Sequence, residues 1–235
     1  MNQVDEFMRR FNFEIDLEGN PIEAEKRTTE LRQHYILSLF DENYLQKADK
    51  NQKENILRFL EDIAVKQKLF LHFHDSNWFA EAQCKVIYKG KTHPLFLILK
   101  TEKTKKGISK WSICSVKADF LTISPNDSSI TLSPISHEMN FSKLLNISKE
   151  SPNNVSSLAD SNFEEDEKNI FFFLLKNKEL EIIDIQTKAF YFLQANGWIW
   201  TVRHFERASE NVGWLIEEII PANDLEKEIW KKEKF

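Results

Sequence analysis

Glycine is scarce. The five glycines among 235 residues fall mostly where turns are expected, which argues against a glycine-rich loop that cradles a nucleotide phosphate. Cysteine is scarcer. Cys84 and Cys114 are too few for a disulfide framework and lack metal-ligand spacing. Both sit in apolar strand patterns and read as reduced thiols packed as small hydrophobes. No apolar run approaches the ~20 residues that span a bilayer, so no membrane contact is expected. The opening MNQVDEFMRR has no apolar stretch of the signal-peptide kind, and a cytoplasmic location is expected. The net charge of −5 gives no global attraction for nucleic acid or an anionic surface. Catalytic signatures are also lacking. There is no Gly-x-Ser-x-Gly elbow, and neither cysteine has a local histidine signature. His137-Glu138 is followed by Phe141 where the zinc motif His-Glu-x-x-His needs its second imidazole.

What the chain does have is aromatic bulk. Nineteen Phe and six Trp stand against three Met, so rings are expected to fill the core. The clearest order lies in residues 78–118. Trp78, Ala80, Ala82, Cys84, Val86 and Tyr88 fall on every second position, with Glu81, Gln83 and Lys85 between them. That is the period of a strand with one buried face. Leu95 to Leu99 is wholly apolar and reads as a central strand covered on both sides. A lysine-rich loop ends at Gly107, and a third strand, 111–118, returns to complete an antiparallel meander.

Around the meander, alternation predicts a short strand from Phe11 to Leu17. Asn20-Pro21 predicts a helix start, with the helix running to about Leu45. A second helix is expected over 53–66 and a strand over 69–74. Strands at 120–123 and 130–132 would form a hairpin about Pro125-Asn126-Asp127-Ser128, and Phe141, Leu144 and Leu145 suggest a short helix. Residues 146–162 are rich in Ser and Asn and read as a linker between an N-terminal part, 1–145, and a C-terminal part, 163–235. A third helix is expected over 162–177. Four strands should follow, at 180–185, 189–194, 198–206 and 212–220, with Asn196-Gly197 as a hairpin signal. Asn223 with Glu226 caps a last helix.

The order helix then four strands thus occurs twice, and each copy opens its last strand on Trp111-Ser112-Ile113 or Trp214-Leu215-Ile216. On those residues the chain resembles the cystatin-like or NTF2-like fold. The expected class is α+β, with helices packed on curved antiparallel meander sheets as two tandem cystatin-like halves. Members of that superfamily either enclose small molecules in a cone or bind proteins on the sheet, so the resemblance implies no single activity.

Candidate chemistry is thin. His72 and His74 would share one side of a strand and could share a metal, but no third ligand is evident beyond His93, His204 and Glu81. His204 with Asp184 or Glu206 could form an acid–base pair beside Trp198 and Trp200, and His72 is the other histidine to consider. A buried tryptophan pair is the simpler account of that strand. Lys103, Lys105 and Lys106 crowd a loop that could touch phosphates, though lysines also keep an exposed hairpin tip from pairing with other strands. The leading expectation is a non-catalytic binding or scaffold protein without a cofactor, using sheet faces, Trp198 and Trp200 among them, to hold a protein partner or another copy of itself. A small-molecule-binding or acid–base enzyme with a pocket in a cone is the alternative. Nucleic-acid contact through the lysine loop is the third.

Overall fold

The computed structural model describes residues 3–103, 109–121, 167–208 and 211–235. Its fold is α+β, and one open six-stranded antiparallel sheet holds every strand described. The strands are β1 (Trp78–Tyr88), β2 (Lys91–Lys103), β3 (Ser109–Lys117), β4 (Leu180–Phe192), β5 (Trp198–Phe205) and β6 (Gly213–Pro221). Their spatial order is β3-β2-β1-β4-β5-β6. The expected meander is present, and β1 continues it by pairing with β4 along its whole length. The β1–β2 turn uses Lys89 (φ 49°) and Gly90 (φ 74°), the left-handed pair that suits the twist of a two-residue hairpin.

Six α-helices accompany the sheet among the described residues: α1 (Gln3–Phe11), α2 (Thr29–Ser38), α3 (Glu42–Lys47), α4 (Lys50–Leu60), α5 (Glu167–Lys176) and α6 (Asp224–Lys234). Residues alternating along β1 separate the two faces of the sheet. Trp78 and Ala80 join a core with α1, α2, α4, β5 and β6. Further along the same face, Cys84 and Val86 join Leu95, Leu97, Val116 and the α5 residues Phe171 and Leu174. Phe79 points to the opposite face and meets Ile98, Tyr191 and Ile199, with Trp230 of α6 and Phe235 packed against them. The helices are therefore exchanged relative to chain order. The early helices cover the late strands, and α5 covers the early ones.

Several local expectations are corrected, each by a specific interaction. The segment 69–74 is not a strand. Asn12 clamps Leu71 instead, its Nδ2 donating to the Leu71 carbonyl (2.8 Å) and its Oδ1 accepting from the Leu71 amide (2.7 Å). The side chain thereby takes the part a neighbouring strand would play. Residues 11–17 are not a strand either. Helix α1 runs to Phe11, Phe13 turns the chain at φ 61°, and Ile15 forms one bridge with Pro21. Pro21 is thus not a helix start, and Thr28 caps α2 by accepting from the Leu31 amide. The predicted single helix to Leu45 breaks at Phe40 because the Leu39 carbonyl and the Asp41 amide bond to Ile216 of β6 (2.7 and 2.9 Å). Asp41 then caps α3.

The helix expected over 53–66 starts earlier, on an Asp49–Gln52 capping box, and its last turn, Glu61–Lys66, widens to the π form. The expected strands 180–185 and 189–194 are one strand, β4, with two irregularities in its register against β1. Asp119–Leu121 forms a single 3-10 turn. The expected hairpin about Pro125, the helix near Phe141, the linker 146–162, His137 and Glu138 lie outside the described residues. The Asn223–Glu226 capping box of α6 is as expected.

Candidate functional site

The residues singled out from sequence do not converge. His72 and His74 lie exposed in a turn, closed by the Asp75 amide donating to the His72 carbonyl (3.0 Å). Among the described residues no group of three or more His, Cys, Asp or Glu side chains is placed to hold a metal ion. His204 is exposed near the end of β5. Its ring meets Trp214 edge-on at 5.4 Å, and its Nδ1 lies 3.8 Å from the Glu206 carboxylate. Asp184 belongs to the other half of β4, in register with Lys85 of β1, whose ammonium is 3.9 Å away. The His204–Asp184 pairing is therefore not assembled. Glu81 accepts the Tyr191 hydroxyl, and the His93 ring packs on Phe120.

Trp198 and Trp200 are 1% and 0% exposed. Trp198 Nε1 donates to Asp62 Oδ2 (3.0 Å), and the Trp200 ring stacks on Phe11 and Phe192 at 5.8 and 5.3 Å. Both rings are core, and neither offers a face to a partner. Lys103 is exposed at the end of β2, while Lys105 and Lys106 lie outside the described residues. Cys84 and Cys114 are free thiols, and burial pushes both upward, away from the reactive thiolate.

The surface feature that does stand out is a step in the sheet. β4 pairs with β1 from Leu180 to Phe192, but with β5 only from Ala189 to Phe192. Among the described residues, no strand lies beside the outer edge of 180–188. Residues 181–186 are all exposed, including Ile182 (38%), Ile183 (48%) and Ile185 (57%). Isolated exposed aliphatics are ordinary, but three along one strand edge with no described neighbour are not. On α5, which leads into β4, Phe172 and Phe173 are exposed as well. Charge along the segment is nearly balanced: Glu179, Glu181 and Asp184 stand among Lys176, Lys178 and Lys188, and Lys85 lies 3.9 Å from Asp184.

The step arises because β5 has eight residues and β4 thirteen. The sequence did carry that mismatch. It was hidden because the irregularities within 182–189 break the two-residue period and make one strand read as two. No protein-family model, curated protein or solved structure matches the chain. Among the described residues no helix is long and apolar enough to cross a membrane.

Proposed function

We propose that the chain is a non-catalytic cytoplasmic binding protein that holds an extended segment of another polypeptide along the open edge of β4. The observation that supports this reading is the isoleucine-rich stretch 180–188, whose outer edge has no strand beside it among the described residues. An added strand would bond the outward backbone groups of this edge and cover Ile183 and Ile185, the two modes of gain in strand addition. The exposed isoleucines favour a partner strand carrying aliphatic side chains. In this reading the cystatin-like or NTF2-like resemblance supplies a platform, and recognition belongs to the sheet.

A photoreactive side chain at position 183 tests the proposal directly in native extract, with the same probe at the exposed Leu57 as control. One polypeptide should be captured at 183 and not at 57, through an extended segment. With that partner purified, the amides of 180–188 should gain exchange protection in the complex. Ile185→Asp should weaken binding at least tenfold, since covering a half-exposed isoleucine contributes about 1.4 kcal/mol. Equal capture at both positions, or undiminished binding by Ile185→Asp, would remove the proposal.

A further inference from the structure

A second feature is formed by quite different elements. The turn at Asn12–Glu14, the start of α2 and the segment after α4 enclose a cleft of about 280 Å³. Three cationic side chains line it, Arg27, Arg32 and Lys68, against one carboxylate, Glu14. Glu14 is already engaged by Asn12 (3.2 Å) and Arg9 (3.7 Å).

Arg32 is the unusual member. It is only 5% exposed, yet no carboxylate among the described residues pairs with it. One terminal nitrogen donates to the Leu69 carbonyl, its Nε is buried without a partner, and its guanidinium lies 4.2 Å from the centre of the Phe70 ring. Burial pushes its pKa down to about 10, still charged at neutral pH. A buried charge normally has a counter-charge, because desolvating it alone is costly. Arg27 Nε and Nη2 both donate to the Ile22 carbonyl, which leaves Nη1 for a ligand. The cleft also opens at the N-terminus of α2, where Thr28 caps only the Leu31 amide and the dipole favours an anion.

We propose that this cleft binds a phosphate monoester. The phosphate meets Arg32, Arg27 and Lys68, and the organic group lies on the exposed face of Phe70. Three cations against one carboxylate leave two positive charges, which match a dianion better than a carboxylate's single charge. The cleft is also larger than a bare phosphate needs, and the Phe70 ring gives its mouth an apolar wall.

The test is calorimetric titration of the full chain, at fixed ionic strength and pH 7.5, with phenyl phosphate, inorganic phosphate and benzoate. Phenyl phosphate should bind one to one and most tightly. Its affinity should fall at least threefold at pH 5.5, where the ester is largely the monoanion. Arg27→Gln/Lys68→Gln removes two exposed charges and leaves the core untouched, so this variant should fold normally and bind at least tenfold more weakly. Arg32→Met should abolish binding if it folds. No saturable binding by phenyl phosphate at millimolar concentration would overturn the proposal. So would benzoate binding as tightly, or undiminished affinity in the Arg27→Gln/Lys68→Gln variant.

Discussion

Replacing Asn12 by alanine should show how much of the fold rests on one side chain. Asn12 is 4% exposed and bonds both backbone groups of Leu71, itself 2% exposed. Alanine leaves a buried N–H and a buried C=O without partners, at about 1–3 kcal/mol each. Asn12 also borders the Arg32 cleft, from which water can reach part of the gap, so the lower half of that range applies. The expected loss is about 3 kcal/mol in all, which lowers the melting temperature of a chain this long by about 6–12 °C. Urea denaturation should show a lower midpoint with an unchanged slope. The Leu71 amide should exchange faster, and more so than amides in the sheet. Asn12→Asp separates the two bonds. It keeps the acceptor for the Leu71 amide but turns a carboxylate toward the Leu71 carbonyl and Glu14. Only the Leu71 carbonyl then loses its donor, so the Leu71 amide should keep its exchange protection in this variant while the melting temperature still falls. A melting shift under about 1 °C for Asn12→Ala, or an unchanged Leu71 exchange rate, would refute the clamp.

Two further predictions concern the core beneath β5. Phe59 is fully buried and meets Trp198, Trp200 and Phe40 edge-on at 5.4, 5.5 and 5.9 Å, so Phe59→Ala should cost about 3–5 kcal/mol by chemical denaturation. A loss under about 1 kcal/mol would mean that the rings close over the gap. At Asp62 burial pushes the carboxyl up, but hydrogen bonds from Lys66 and Trp198 outweigh it and hold the pKa below 3.8. The folded state therefore releases the proton more readily than the unfolded chain. The Asp62 contribution is complete above the ordinary carboxylate value and fades as pH falls through the lowered one. Wild type should be more stable than Asp62→Asn at pH 7, and the gap should narrow in acid. A gap that stays constant down to pH 2 would contradict this linkage.

Legibility in the sequence tracked the range of the forces involved. The alternation from Trp78 to Tyr88, the β1–β2–β3 meander and the Asn223–Glu226 cap are local patterns, and each was readable. The break at Phe40 was not, because its cause is hydrogen bonding to Ile216, far along the chain. The turn at His72 was not, because Asn12 supplies what strand pairing would have supplied. The open edge of β4 depends on where β5 stops, and no residue within 180–188 records that. Arg32 left one faint trace. It stands four residues before Ile36, and these are the two buried residues of α2, so a charged side chain shares the apolar side of its helix. In a helix otherwise rich in polar residues, that spacing does not stand out.

The exchange of helices has a consequence for synthesis. While the chain emerges from the ribosome, β1, β2 and β3 precede the other strands, and the apolar side of Val86, Leu95 and Leu97 still awaits Phe171 and Leu174. The helix that shields them begins at Glu167, and the strand that flanks β1 ends only at Phe192. Until Phe192 has been made the nascent ribbon lacks these two neighbours, a state in which chains aggregate or recruit chaperones.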